Sequence, residues 1–109
     1  MTPLEALQAL ELRVGRVVRA ERHEQARTPA YKLWIDFGAS GVKASSAQLT
    51  ELYTVQHLVG RQVIAAVNLG PRRVGGFTSD VLVLGVPDEA GRVVLLAVER
   101  EVPANGRVF

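Results

Sequence analysis

The chain has 109 residues, of which 48% are hydrophobic and 22% charged, with a formal net charge of +2. This composition excludes wholesale disorder, and the length suits a single domain over residues 1–109. The longest apolar runs have five or six residues, which is too short to span a membrane. The chain has no cysteine, and its first residues include no basic cluster or apolar signal core, so we expect a cytoplasmic protein without disulfides, thiol catalysis or membrane insertion.

A short helix is predicted at the amino terminus. Thr2 is a suitable cap, Pro3 suits the first helical position, and Glu5 completes a capping box. Leucines follow on one side of the helix at Leu4, Leu7 and Leu10. So short and apolar a helix must pack either on its own domain or on a partner.

Alternation of apolar and polar residues predicts the first strands. Residues 12–20 fit a half-buried strand, in which Gly15 suggests a bulge or bend. Residues 31–37 fit a second strand, residues 42–44 begin a third, and residues 45–48 resemble a capping box that begins a helix. Core residues expected on the second strand and on this helix are Leu33, Ile35, Phe37, Leu49, Leu52 and Tyr53.

The second half of the chain adds three strands, at residues 63–67, 81–86 and 92–98. Five strands with a helix between the third and fourth match the order of an OB-fold. We therefore predict an all-β protein: a five-stranded Greek-key OB barrel with a short amino-terminal helix and an extra carboxy-terminal strand.

The segment between the first two of these strands, residues 68–80, is the most informative part of the sequence. It contains Arg72 and Arg73, three glycines and Phe77, and it is too long for a tight hairpin. Such a loop is expected to present guanidinium donors and an exposed aromatic ring on a mobile arm. Asn68, at its start, is either a turn residue or a polar anchor for a ligand amide.

No catalytic or metal-binding pattern accompanies this loop. His23 and His57 have no second ligand at useful spacing, which favours structural or surface roles over a metal site. Asp36 and Asp80 have no partner visible in the sequence that would make them general bases, and Gly75 with Gly76 lacks the lysine and helix of a phosphate-binding loop. We expect a binding protein without a cofactor, not an enzyme.

Four segments together resemble one family. They are residues 12–18 (LRVGRVV), 32–38 (KLWIDFG), 43–49 (KASSAQL) and 68–77 (NLGPRRVGGF). In this order they are similar to CsaA, a family of small bacterial chaperones related to secretion, within the wider group of tRNA-binding OB domains. That wider group often has a lysine-bearing NLKP loop and a GMLLA strand, where this chain has NLGPRR and VLVLG. The chain therefore resembles the CsaA side of the group.

The resemblance implies a homodimer that binds unfolded or export-bound polypeptides without ATP. Precursor polypeptides, tRNA and the protein-export machinery are the candidate partners. The alternative function is structure-specific tRNA binding, alone or as an aminoacyl-tRNA synthetase accessory. The candidate peptide- or RNA-binding residues are Arg72, Arg73, Phe77, Ser45, Ser46, Gln48 and Asn68.

Other functions of these residues stay open. The residues from Ser45 to Gln48 could equally be a helix cap, and Phe77 could close an apolar patch or contact a second subunit. Tyr31 and Trp34 fit core or interface packing better than a stacking platform for bases.

Overall fold

The computed structural model describes residues 1–109. Two short α-helices, nine β-strands and a 3-10 turn at Gly38–Ser40 make up its regular structure. In chain order the helices and strands are α1 (Pro3–Ala9), β1 (Leu12–Arg22), β2 (Tyr31–Asp36), β3 (Val42–Ala47), α2 (Val55–Leu58), β4 (Gln62–Ala66), β5 (Arg72–Val74), β6 (Phe77–Ser79), β7 (Leu82–Val83), β8 (Gly85–Pro87) and β9 (Val93–Leu95).

Five strands form an antiparallel sheet in the order β3-β2-β1-β4-β7. The sheet curls until its two ends nearly meet. There the backbone N–H groups of Asp80 and Val81 donate to the carbonyl oxygen of Ala44, at 2.8 and 3.3 Å. Helix α2 lies between β3 and β4 in the chain. This is the predicted OB-fold barrel, and the fold class is confirmed.

The interior of the barrel is filled by alternate residues of β2 and its neighbours. Leu33, Ile35 and Phe37 have no exposed surface, and Val17 and Val63 join them from β1 and β4. A strand places successive side chains on opposite faces, so the apolar alternation in residues 31–37 correctly predicted this core.

Gly15 does not form the predicted bulge. The irregularity of β1 lies between Val17 and Arg19, whereas Gly15 stays in register opposite Val63. A Cβ on Gly15 would stand 2.6 Å from Cγ2 of Ile35 and 2.7 Å from Cε1 of Phe37. Gly15 is therefore needed for close approach of the core side chains to the backbone of β1.

The helix predicted to begin at residues 45–48 is also misplaced. Ser45 and Ser46 continue β3, and the helix begins ten residues after Ser45, at Val55, where the Thr54 side chain accepts from the N–H of His57 at 3.2 Å. The mistaken prediction followed a capping pattern, but pairing with β2 keeps both serines extended. Leu49 is buried as expected, but Leu52 is 37% exposed.

The predicted strand at residues 81–86 is divided between two sheets. Its first part is β7 of the barrel, and its second part, β8, pairs with β9 in a separate hairpin. The sixth predicted strand is shortened to Val93–Leu95. This hairpin is the extra carboxy-terminal structure, and Val86 and Leu96 on it are exposed.

Helix α1 begins with the predicted capping box. The Thr2 side chain accepts from the N–H of Glu5, and the Glu5 carboxylate accepts from the N–H of Thr2, both at 3.1 Å. No residue of α1 is buried. Leu4 and Leu7 instead line an open groove of about 570 Å³ together with Val108 and Phe109. Neither helix has the length and apolar character required to cross a membrane.

Candidate nucleic-acid and peptide interface

A cleft of about 460 Å³ opens on the outer side of the barrel. One wall is the loop between β1 and β2, residues 23–30, and the other is the hairpin formed by β5 and β6. The end of β3 contributes Ser46 and Gln48. In the OB-fold these two loops and the face of strands 2 and 3 are where extended ligands bind.

The arginine segment is folded, which corrects the expectation of a mobile arm. Strands β5 and β6 pair through three residues each, with Val74 opposite Phe77. Gly75 and Gly76 form the two-residue turn, with φ of 52° and 79°. Positive φ at both positions is the type I′ arrangement, which glycine adopts without steric cost. The thirteen-residue segment therefore contains a tight hairpin after all.

Phe77 fixes this hairpin to the sheet instead of standing exposed. Its ring meets the rings of His23 and Trp34 edge to face, with centroids 5.5 and 5.7 Å away. The ammonium nitrogen of Lys32 lies 5.1 Å from the centre of the Phe77 ring, and the Arg19 guanidinium stacks 4.5 Å from that of Trp34. The apolar patch closed by Phe77 is thus one on its own barrel, and Phe77 is not among the residues that line the cleft.

The serines of β3 have different environments. Ser46 donates its N–H to Oγ of Ser79 at 3.0 Å, and its own Oγ is 3.0 Å from Nδ1 of His23. These bonds join β3 to the hairpin and to the β1–β2 loop. Ser45 points to the other side of the sheet and is fully buried, and its Oγ has no hydrogen-bond partner. Ser46 lines the cleft, and Ser45 does not.

Asn68 lies outside the cleft and joins α1 to β1. Its Oδ1 accepts from the N–H of Glu11 at 2.9 Å, and its Nδ2 donates to the carbonyl of Ala9 at 2.8 Å. The side-chain amide is thus engaged at both ends within the fold. Of the seven residues predicted to bind, four line the cleft: Ser46, Gln48, Arg72 and Arg73.

Arg27 is the main residue that sequence reasoning missed. It lines the cleft from the β1–β2 loop, opposite Arg72 and Arg73, with Gln25 and Thr28 beside it. The loop reads only as a polar turn when taken alone. Once the OB-fold was predicted, the rule that this loop borders the binding face was the signal that could have identified Arg27.

The cleft is electropositive. Three arginines and no carboxylate line it. Five other arginines form ion pairs with Asp or Glu, namely Arg13, Arg16, Arg19, Arg92 and Arg100, whereas none of the three in the cleft does. Because guanidinium groups bind carboxylates and phosphates through paired hydrogen bonds, the cleft is suited to an anionic ligand.

No group of three or more His, Cys, Asp or Glu side chains is arranged to hold a metal ion. His23 is buried in the aromatic cluster and His57 is exposed on α2. The two carboxyls with a lowered pKa lie away from the cleft. Backbone N–H groups lower the pKa of Glu5, in the α1 cap, and of Asp88, in the β8–β9 turn.

Comparison with solved structures finds close likenesses over the whole chain. The chaperone CsaA of Bacillus anthracis str. Ames superposes with a TM-score of 0.93 and 48% identity, covering 100% of this chain and 99% of that one. The CsaA chaperone protein of Picrophilus torridus superposes with a TM-score of 0.92 and 35% identity, covering 100% of both chains.

Sequence comparison adds a link to synthetases. The methionine–tRNA ligase of Methanopyrus kandleri is 36% identical over 105 residues, or 96% of this chain. The chain spans only about 15% of the length of that ligase. The family model described as "Putative tRNA binding domain" matches residues 12–107. The chain therefore belongs to the tRNA-binding-domain family and, within it, to the CsaA group.

Proposed function

We propose that this protein is an ATP-independent chaperone whose homodimer binds unfolded or export-bound polypeptides in the cleft. The observation that carries the proposal is the similarity to the chaperone CsaA of Bacillus anthracis, which extends over the full length of both chains at 48% identity. The match to methionine–tRNA ligases, by comparison, concerns a small part of those proteins.

The walls of the cleft suit an extended polypeptide. Guanidinium groups of Arg72 and Arg73 can donate to main-chain carbonyls or acidic side chains, and the Gln48 amide offers both a donor and an acceptor. Binding of this kind is an equilibrium that lowers the concentration of free, aggregating segments. It needs no nucleotide, and the protein would act in the cytoplasm as one OB domain, with the export machinery as a recipient of its clients.

The groove beside α1 supports the homodimer. Leu4 is 63% exposed, and Phe109 is fully exposed at the other side of the same groove. A seven-residue helix is marginal in water unless its apolar face is packed. A second copy that covers this groove, and the exposed apolar residues of the β8–β9 hairpin, would supply that packing.

The test is direct binding of an unfolded precursor peptide, together with suppression of client aggregation. The double variant Arg72→Ala with Arg73→Ala is expected to lose most of both activities. The matched control is Arg61→Ala with Arg100→Ala, which changes the net charge equally but alters exposed arginines outside the cleft. Equal activity of the two double variants would refute the assignment of the cleft.

tRNA binding is the second candidate function, favoured by the three arginines that line the cleft without ion pairs. If each contacts one phosphate, binding should weaken with salt at a log–log slope of about −2 to −3. Titration of labelled total tRNA, with the precursor peptide as competitor, separates the two functions. Tight, salt-sensitive binding that the peptide cannot displace would favour tRNA.

A further inference from the structure

Strand β5 has one unpaired edge, and that edge borders the cleft. On one side β5 pairs with β6, which in turn lies against β3. On its other side no strand is paired with it. All three residues of β5 line the cleft, together with Gly75 from the turn. A free strand edge of this kind can pair with an added extended segment.

The hairpin geometry identifies the free backbone groups. Val74 and Phe77 flank the two-residue turn, so they exchange both hydrogen bonds of their pair. Along an antiparallel ladder such pairs alternate with pairs that exchange none. Arg73, opposite Thr78, belongs to the second kind. Its N–H and C=O therefore point away from β6, towards the cleft.

The charges around the free edge of β5 favour some added polypeptide segments over others. Arg73 itself carries the free groups, Arg72 precedes it, and Arg27 lies on the opposite wall. Basic side chains on a short edge strand hinder pairing with neutral or basic strands. An acidic segment would instead gain cross-strand ion pairs at the same positions, away from any competing carboxylate of the protein.

We propose that the cleft binds an extended, acidic polypeptide segment as an added strand alongside β5, with its main chain hydrogen-bonded to the N–H and C=O of Arg73. This inference rests on the proposed polypeptide-binding function and names its mode and its charge preference. The β1–β2 loop forms the opposite wall of this site.

The first test varies the ligand. The probe is the end-capped heptapeptide Val-Glu-Ile-Asp-Thr-Glu-Tyr, measured by calorimetry against its neutral counterpart Val-Gln-Ile-Asn-Thr-Gln-Tyr. We expect the neutral peptide to bind about tenfold more weakly at low salt. N-methylation of the acidic peptide, one amide at a time, should weaken binding only at alternate residues, because only those N–H groups face β5.

The second test varies the protein at one position. Arg73→Pro removes both the side chain and the outward N–H, whereas Arg73→Ala removes only the side chain. Both variants remove the side-chain hydrogen bond that Arg73 donates to Oγ1 of Thr78, so this loss is common to them. Neither removes a backbone hydrogen bond of the hairpin, since the N–H of Arg73 makes none there. We expect Arg73→Pro to bind the acidic heptapeptide about fivefold more weakly than Arg73→Ala. Trp34 fluorescence, which reports contact with Phe77, checks that the hairpin is intact in both.

The outcomes separate this inference from the function on which it rests. If acidic and neutral peptides bind equally and N-methylation has no alternating effect, polypeptide binding stands but strand addition is wrong. If neither heptapeptide nor the unfolded precursor binds, while single-stranded polyuridylate binds with a steep salt dependence, the cleft is a phosphate site and both proposals fail. The N-methylation pattern needs no protein variant, so it decides the matter even if Arg73→Pro disturbs the hairpin.

Discussion

Gly75 lies against the main-chain carbonyl of Gln25, so that a Cβ at Gly75 would stand 2.5 Å from the carbonyl oxygen. This contact sets the distance between the two walls of the cleft at the hairpin tip. Gly75→Ala is expected to push the hairpin away from the β1–β2 loop and to lower ligand affinity about tenfold or more, because the arginines of the two walls then cannot contact one ligand together. Binding of labelled peptide or tRNA measures the effect.

Gly76→Ala is the matched control for this variant. Its φ of 79° imposes a similar backbone cost of about 1–2 kcal/mol, but a Cβ there meets nothing within 4 Å. Gly76→Ala should therefore lose stability without a comparable loss of affinity. Equal affinities of the two variants would show that the contact with Gln25 does not set the width of the cleft.

Arg27 is expected to contribute to binding as much as either arginine of the hairpin, since it faces them across the cleft without an ion pair. Arg27→Ala should weaken ligand binding about three- to tenfold and flatten its salt dependence, while the thermal midpoint stays within a degree or two. Affinity as a function of salt, with Arg61→Ala as the control, tests this. An unchanged affinity would remove the β1–β2 loop from the site.

Gly15→Ala is expected to destabilise the fold by about 1–3 kcal/mol, because the new Cβ would overlap Ile35 and Phe37 in a fully packed core. Denaturant unfolding at fixed protein concentration measures the loss. Adding Phe37→Leu removes part of the obstructing ring, so the double variant should lose less than the sum of the two single losses. Strictly additive losses would contradict this steric account.

The homodimer proposal predicts that charge in the α1 groove separates the subunits. Leu7→Glu, at a position 40% exposed, should convert a species of about twice 11.8 kDa into one of 11.8 kDa at micromolar concentration. Sedimentation gives the mass directly. Val42→Glu places the same charge on an exposed apolar residue outside the groove, at the start of β3, and should leave the dimer intact. A monomeric wild-type protein would refute the proposal.

Protonation of Asp88 is expected to destabilise the β8–β9 hairpin in acid. The backbone N–H of Arg92, at 2.9 Å, is the main cause that holds the pKa of Asp88 below its ordinary value of 3.8. The stabilisation is therefore complete above that value and is lost as pH falls through the lower pKa of the folded state. Asp88→Asn should lower the unfolding midpoint at neutral pH, and the difference from wild type should shrink as pH falls below 3.8 and through the lower pKa of the folded state. Glu89→Gln, at the adjacent exposed residue, should leave the fall of the unfolding midpoint in acid as it is in the wild type.

Sequence patterns predicted those parts of the fold that depend on local chemistry. The capping box of Thr2 and Glu5 formed as expected, since both partners lie within one turn. Alternation along β2 identified Leu33, Ile35 and Phe37 as core for the same kind of reason. The order of the strands and the helix, together with the family resemblance, was then enough to predict the OB-fold.

The predictions that were wrong or missed concern residues whose structure depends on contacts with distant parts of the chain. Ser45 and Ser46 carry a helix-cap pattern, but their backbone is held extended by β2 across the sheet. The hairpin in residues 68–80 was missed because its strands are only three residues long. Arg27 could not be assigned from its own neighbours, since it comes to face Arg72 and Arg73 only when the barrel brings the β1–β2 loop and the hairpin together. Ser45 was proposed for the site although its side chain faces the interior.

The segment that carries the arginine hairpin, residues 68–80, is held to the barrel at both ends. Before it, the N–H of Val67 donates to the carbonyl of Glu11 at 2.9 Å, and after it, the N–H of Asp80 donates to the carbonyl of Ala44. Between these anchor points, Phe77 and Ser79 also hold the segment to the barrel through their contacts with His23, Trp34 and Ser46. Changes confined to the hairpin tip, from Arg72 to Gly76, are therefore expected to leave the register of the five strands unchanged. The arginine-bearing tip is thus the part of this segment whose sequence can vary with the least effect on the barrel.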